Sequence, residues 1–372
     1  MQFAFIMYHY YRAWSAYNWI RVFVSSYVWM TGFGNFLYFD KTKDYSFARI
    51  VSMCIRINYF PMLLAWITGV SLDLYYVVPL HTEGFFMTMI TCRLYHYLED
   101  SFHMTYYKAR IIAIGISLLA HILFYETPAV NFLLIFSEEI HLRFQIDKYS
   151  AWVGIVCGLL MKYLTEYMTW AYGSTVRGDR LIPQWSQRFG GVILIAIWYH
   201  AFGYLDDKFV YNPIHPYIFW IPVFGWLMIR NSSRYLTESY STLLEFVGKN
   251  TLETYVLQFH LFMNHSVQNI PIVIPGSGPP VVDENDSSIV LEADNPYLRF
   301  LNMLFCGFIF CYVAIYARKF TVSTQTTVVE LVKLVQQPNE CTPASTKEDQ
   351  DAETTVMLTP TTSAETEKSN KV

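Results

Sequence analysis

The residues best suited to chemistry in this 372-residue chain are its ten histidines, because imidazole can exchange a proton or accept an acyl group near neutral pH. Once loop charges are used to assign a membrane topology, only His96 and His103 fall on one side. The other eight lie on the opposite side: His9, His81, His121, His141, His200, His215, His260 and His265. Interfacial solvation explains any single histidine, but it explains the asymmetry less well because both interfaces are wet. The asymmetry predicts chemistry at one surface of the bilayer.

Polar residues inside apolar segments form a second group of candidates. Arg56 lies about 13 Å into such a segment at 1.5 Å per residue, where an unpaired arginine is costly. Snorkelling is one explanation, and an inward-facing cation that binds a phosphate or carboxylate is the one we favour. Glu253, His260 and Asn264 share one helical face by their spacing, which predicts a helix that lines a cavity or packs centrally. Structural hydrogen bonding between helices is the alternative.

The segment 141–149 is dense in ionisable groups and lies on the histidine-rich side. It contains His141, Arg143 and Asp147, and His215 lies in another loop on that side. Loop solvation and substrate binding explain this set equally well.

The elements that position these residues are predicted to be membrane helices. The chain is 53% hydrophobic and only 15% charged, whereas globular domains carry about a quarter charged residues. There is no Walker loop, GxGxxG, GxSxG or HExxH motif, and the six cysteines show no metal spacing. Neither a bound metal nor a nucleic acid partner is expected.

Ten apolar segments are candidate spans, although the first and the eighth are short for a bilayer core of about 30 Å. The segments are 1–12, 19–39, 47–70, 76–95, 109–125, 150–172, 189–204, 216–229, 246–268 and 297–317. An all-α polytopic bundle over residues 1–320 and a disordered tail over residues 321–372 are therefore predicted.

Lysine and arginine are unequally shared between alternate loops. They concentrate in 40–49, 96–110, 173–188, 230–245 and the tail, and are few in 13–18, 71–75, 126–148, 205–215 and 269–296. The positive-inside rule places the first set and the C-terminus in the cytosol, so the histidine-rich side is lumenal. Of the sequons, Asn285 is predicted to be glycosylated and Asn231 is not.

Several motifs resemble a family of ten-span acyltransferase domains in animal sialic acid O-acetyltransferases, fungal capsule O-acetylation proteins and plant reduced-wall-acetylation proteins. The specific stretches are Ile20-Arg-Val-Phe-Val-Ser-Ser-Tyr-Val-Trp-Met-Thr-Gly-Phe-Gly-Asn35 and Gly248-Lys-Asn-Thr-Leu-Glu-Thr-Tyr-Val-Leu-Gln-Phe-His260. Shorter matches occur at 8–9, 48–58, 79–82, 147–149, 215–222 and 230–233. The first three spans also look, more distantly, like the acyltransferase-3 fold.

The resemblance implies a membrane O-acetyltransferase, or a component of one, in the Golgi or another secretory membrane. It would pass acetyl from cytosolic acetyl-CoA to hydroxyls of lumenal glycans or polysaccharides, with His9 as general base or transient acetyl carrier. The implied catalytic set is His9, His81, Glu253 and His260, the coenzyme-binding set is Arg49, Arg56 and Lys249, and the lumenal set is His141, Arg143, Asp147 and His215.

Two other functions compete with this interpretation. A transporter could move acetyl-CoA or a related anion without chemistry, and inverted repeats, which are not evident, would favour it. A non-catalytic scaffold has little support, given Arg56 and Glu253 within the membrane. Animal and fungal members of the family carry a lumenal Ser-Asp-His esterase-like domain that is absent here. Residues 1–12 provide about 18 Å of helix, short of the roughly 30 Å bilayer core, so we expect further N-terminal residues in the natural protein. We also expect a lumenal acetyltransferase domain or partner.

Overall fold

A computed structural model describes residues 1–172, 180–263, 270–278, 281–282, 290–292 and 295–336. The predicted helical bundle is confirmed. Its helices are α1 Gln2–Tyr10, α2 Tyr17–Thr42, α3 Phe47–Thr68, α4 Val77–Phe102, α5 Tyr106–Tyr125, α6 Glu138–Asp147, α7 Ser150–Tyr172, α8 Leu181–Trp198, α9 Lys208–Ile218, α10 Trp220–Arg230, α11 Arg234–Glu238, α12 Thr242–Lys249, α13 Thr251–Leu257 and α14 Pro296–Gln336. Strands β1 Val281–Val282 and β2 Val290–Glu292 form a short antiparallel ribbon.

Each predicted span coincides with one of these helices or with consecutive ones, as far as the chain is described. By length and apolarity alone, α3, α5 and α14 could each cross a membrane. The long helix α2 is less apolar because its buried face carries polar side chains, including those of Asn18, Arg21 and Ser25. A polar face of this kind must be covered by other helices or line a cavity.

Two contacts join loops that are predicted to lie on the same side of the membrane. At one end, Ser137 donates a hydrogen bond to Asp73 at 2.5 Å, which joins two loops predicted to be lumenal. At the other end, Tyr172 donates to the backbone oxygen of Asn231 at 2.8 Å. The alternation of loops inferred from their charge therefore agrees with their contacts.

Among the described residues, three one-turn π-helical segments interrupt the regular helices, and such turns often occur at functional sites. They are Ile55–Tyr59 within α3, Tyr199–Gly203 after α8 and Gln258–Phe262 after α13. Each contains one of the basic residues Arg56, His200 and His260.

The π turn after α13 corrects one expectation from the sequence. Regular α-helical spacing placed Glu253 and His260 on one face, but the wider turn changes the rotation per residue between them. Glu253 contacts Arg56, whereas His260 contacts Tyr75 in the short helical turn before α4. Asn264, the third member of that predicted face, lies outside the described residues.

Helix α14 corrects another expectation. Residues 321–336, predicted to begin a disordered tail, continue the helix as far as Gln336. The segment contains neither glycine nor proline, and Gln325 donates a hydrogen bond to the Ser52 hydroxyl at 2.8 Å. This contact with α3 anchors the extension, while residues 337–372 lie outside the described part of the chain.

Helix α2 packs closely against α7 through glycines, as is typical of helices in membranes. A Cβ atom at Gly32 would lie 2.0 Å from the backbone oxygen of Ala151, and one at Gly154 would lie 2.2 Å from that of Trp29. Neither backbone atom can move without separating the helices.

We therefore expect Gly32→Ala to lower the free energy of unfolding by about 1–3 kcal/mol, the usual cost of overpacking. The measurement is the Tm of the purified protein in detergent. Gly34→Ala is the matched control two residues away, because a Cβ there meets nothing within 4 Å. Equal Tm values for both variants would show that α2 and α7 are not in close contact.

Candidate active site

A cavity of about 670 Å³ lies among α1, α2, α3, α4, α6, α12 and α13. Helix α2 forms one wall through residues that share a face, namely Tyr17, Ile20, Arg21, Val24, Tyr27, Met30 and Thr31. Because these positions span fourteen residues at 1.5 Å each, the cavity extends about 20 Å along the helix. It therefore covers much of a hydrocarbon core that is about 30 Å thick.

Cationic side chains line different parts of this cavity. Lys249 ends α12 on the side predicted to be cytosolic, and its ammonium lies 2.5 Å from Glu245. Arg143 comes from α6 on the side predicted to be lumenal, pairs with Glu139 at 2.6 Å and lies 4.5 Å above the Tyr76 ring. The cavity thus connects basic groups near the two ends of the bundle.

Arg56 lines the cavity, and its guanidinium is paired with Glu253. Its Nη1 and Nη2 atoms lie 2.6 and 3.4 Å from the two carboxylate oxygens of Glu253. The Glu253 side chain is fully buried, whereas a quarter of the Arg56 side chain is exposed. Glu253, predicted to be catalytic, is thus placed behind Arg56, where it can hold the guanidinium in the cavity wall but cannot touch a ligand.

Two of the predicted catalytic histidines line the cavity. His9 lies in the last turn of α1, partly buried, with its ring 5.2 Å from that of Tyr8. Among the described residues it has no hydrogen-bond partner, so both ring nitrogens are available to a ligand. His81 lies near the start of α4, and its Nδ1 atom is 2.5 Å from the Thr31 hydroxyl. That bond fixes the ring and leaves Nε2 for the cavity.

Other candidates from the sequence are placed outside the cavity wall. The Arg49 guanidinium lies 3.8 Å above the Tyr38 ring. His260 hydrogen-bonds the Tyr75 hydroxyl, and the His141 ring lies 3.3 Å from the amide nitrogen of Gln145. Asn285, the predicted glycosylation site, is outside the described residues.

Asp147 and His215 belong to a buried polar cluster that the sequence did not predict as a unit. Asp147 forms an ion pair with Arg21 and accepts a hydrogen bond from Ser25 at 2.5 Å. The Ser25 hydroxyl also lies 2.7 Å from His215 Nε2, and His215 Nδ1 lies 2.9 Å from the Tyr211 hydroxyl. All five side chains are at most 2% exposed.

The hydrogens in this cluster can be assigned by elimination. Because Ser25 gives its single proton to Asp147, His215 Nε2 must donate to Ser25. In a neutral imidazole Nδ1 then accepts from the Tyr211 hydroxyl, which also lies 3.4 Å from the backbone oxygen of Asn18. The nearest approach of His215 Nε2 to Asp147 is 3.9 Å, and Ser25 is fully buried. The arrangement is therefore not a nucleophilic Ser-His-Asp triad. It holds Arg21, which does line the cavity.

Arg21 is the residue that sequence reasoning missed as a member of the site. An arginine in the second turn of an apolar helix was a usable signal, since such a charge needs a partner within the protein. The partner lies 126 positions away, too far for any local pattern to reveal. No group of three or more metal-ligating side chains occurs in the part of the chain that the structure describes.

Comparison with known proteins identifies the relatives of this chain. The family model described as the "10 TM Acyl Transferase domain found in Cas1p" matches residues 1–339. An N-acetylneuraminate (7)9-O-acetyltransferase of Danio rerio is 25% identical over 305 residues, which cover 74% of this chain and 38% of that protein. No solved structure matches. The resemblance seen in the motifs is thus confirmed, and the chain belongs to the family of the ten-transmembrane acyltransferase domain found in Cas1p.

Proposed function

We propose that this protein is a membrane O-acetyltransferase that takes acetyl from cytosolic acetyl-CoA and delivers it toward hydroxyls of lumenal glycans. One observation carries the proposal: a single cavity joins Lys249 and Arg56 to the imidazoles of His9 and His81 and to Arg143. The family description names an acyltransferase domain, and the zebrafish relative is named as an O-acetyltransferase of N-acetylneuraminate.

The donor enters from the side of Lys249. Coenzyme A carries phosphates, and the cations Lys249 and Arg56, each paired with a carboxylate, line that part of the cavity. Glu253 neutralises part of the Arg56 charge, and this ion pair also holds α3 against α13 in the cavity wall. The Lys249 side chain is more exposed than that of Arg56. Most of the remaining wall is apolar or aromatic, which suits the acyl-bearing arm of the thioester.

His9 performs the transfer. Its unpartnered ring can remove the proton from an attacking hydroxyl, or can carry the acetyl group itself between donor and acceptor. His81, held through Nδ1 by Thr31, orients the thioester through its free Nε2 atom. Arg143, above the Tyr76 ring, lies where a lumenal acceptor enters.

A proteoliposome experiment distinguishes transfer of the acetyl group from transport of intact acetyl-CoA. Acetyl-CoA labelled separately on the acetyl group and on the adenine is added outside, and a sialylated oligosaccharide is enclosed inside. An acetyltransferase delivers only the acetyl label to the oligosaccharide, whereas a transporter brings both labels inside in equal amounts. His9→Ala in the same vesicles is the control. Equal entry of both labels would contradict the proposed function.

A lumenal acetyltransferase domain or partner could complete the reaction, since this chain spans 38% of the length of the curated relative it matches. In that relay, acetyl label collects on this protein until the partner is supplied. Robust acetylation of the oligosaccharide by this chain alone would exclude the relay.

The proposed topology predicts glycosylation at one sequon and not at another. When the protein is expressed in a secretory system, Asn285 should be modified and Asn231 should not, because only the former faces the lumen. The measurement is the glycosidase-sensitive gel shift of Asn285→Gln and Asn231→Gln. A shift that disappears with Asn231→Gln would invert the orientation and place the donor end of the cavity in the lumen.

A further inference from the structure

Arg21 is a buried cation whose hydrogen-bonding groups are incompletely used. Its side chain lines the cavity, although the residue is only 1% exposed. Nη2 forms the ion pair with Asp147, whereas Nε and Nη1 have no hydrogen-bond partner among the described residues. In a buried guanidinium, an N–H group without a hydrogen-bond partner is costly.

A second buried arginine shows that the chain can satisfy such a group fully. Arg110 is 2% exposed, and its Nε and Nη2 donate to Asp40 while Nη1 donates to Glu99. Arg110 does not line the cavity. Of these two buried arginines, the one that lines the cavity is the one with unpaired donors.

The surroundings of Arg21 keep its side chain in one place. Asp147 is held by Ser25, Ser25 by His215, and His215 by Tyr211, which forms a continuous hydrogen-bonded chain behind the guanidinium. Donors fixed in advance and aimed at a point where charge develops are the most effective form of electrostatic catalysis.

We propose that Arg21 donates a hydrogen bond to the acetyl oxygen that becomes negatively charged during transfer. The proposal rests on the acetyltransferase function proposed above. Nε and Nη1 lie on different edges of the guanidinium, so the two cannot hold one carboxylate together, and one of them donates to the single acetyl oxygen. His9, on α1, lines the same cavity and supplies the proton transfer that Arg21 cannot.

The step balances without a further reactant. The acceptor oxygen forms a bond to the acetyl carbon as its proton passes to His9, and the carbonyl electron pair moves onto the oxygen facing Arg21. That pair then returns, the carbon–sulfur bond breaks, and the coenzyme sulfur leaves with the proton from His9. Arg21 remains protonated throughout, as its intrinsic basicity requires.

The test compares turnover with donor binding. In Arg21→Lys, the ammonium still faces Asp147 but the several N–H donors of the guanidinium are lost. In the double variant Arg21→Gln and Asp147→Asn, both buried charges are removed together, so neither is left unpaired. We expect kcat to fall by about 10²–10³-fold in both, while the Kd for acetyl-CoA stays within about threefold of wild type. Arg110→Lys is the matched control for a conservative change at a buried arginine and should retain kcat.

The outcomes separate this proposal from the general function. If wild-type protein transfers acetyl and both Arg21 variants keep their kcat, Arg21 has no role in the transition state. If Kd rises as much as kcat falls, Arg21 binds the ground state and the proposal is wrong. If the wild-type protein neither accepts acetyl itself nor passes it to an acceptor, even with a lumenal partner supplied, the proposed acetyltransferase function fails before Arg21 is tested.

Discussion

Replacement of His9 by alanine is expected to reduce acetyl transfer at least about tenfold, which corresponds to about 1.4 kcal/mol of barrier. Loss of a positioned general base costs about 10²–10⁴-fold when no other group replaces it. The variant should remain folded, because the ring has no hydrogen-bond partner among the described residues and its removal leaves no buried donor unpaired. The measurement is initial rate with acetyl-CoA in nanodiscs, beside the Tm of the same preparation.

Two other histidine substitutions make this result specific. His103→Asn removes an exposed imidazole from the predicted cytosolic end at a left-handed position, with φ of 49°, which asparagine tolerates. His141→Gln removes an imidazole from the same end as His9 but outside the cavity wall. Both should retain wild-type rates. A similar loss in all three variants would mean that neither the cavity nor its end of the bundle identifies the reacting histidine.

Asp147→Ala is expected to destabilise the protein most, by about 3–5 kcal/mol in the free energy of unfolding. The substitution leaves the Arg21 guanidinium buried without its counter-ion and removes the acceptor of the Ser25 hydroxyl. Detergent-solubilised protein should show a large fall in Tm or fail to give a monodisperse peak.

The control for that substitution lies in the same helix. Glu139→Ala removes a carboxylate that is 41% exposed and that pairs with Arg143 one turn away, so it should change stability by no more than about 1 kcal/mol. Arg21→Gln combined with Asp147→Asn should be more stable than Asp147→Ala, because no net charge is left unpaired in it. If Asp147→Ala melts at the temperature of Glu139→Ala, the buried ion pair does not form.

The histidines show how much of the candidate site could be predicted from a sequence pattern. Loop charge grouped eight of them at one side, and two contacts between loops agree with the topology on which that grouping rests. Of the eight, His265 lies outside the described residues. The structure then divides the group: His9 and His81 face the cavity, and His215 lies in the cluster behind Arg21. Sidedness depends only on position along a helix, whereas access to a cavity depends also on rotation about its axis.

Arg56 and Glu253 show the same limit of sequence-based prediction for charged residues. Their presence in apolar segments predicted that each must face the protein interior, and both do so. That they face each other, across 197 residues of chain, could not be read from either segment. The consequence is a change in role, since Glu253 supports the arginine and does not reach the cavity.

The sequence by itself determined where the apolar helices of this protein lie, but not α6 and α11, which fall in predicted loops, nor the end of α14. Lipid offers no hydrogen-bond partners, so an apolar segment must satisfy its backbone internally, and local composition is enough to predict a helix. Only the tertiary structure decided which polar side chains meet. Packing at Gly32 sets the approach of α2 to α7, and the π turn at Gln258–Phe262 sets the rotation of the last polar segment. These contacts between distant helices place His9, Arg56 and Arg21 around one cavity, because the rotation of each helix is fixed by its neighbours.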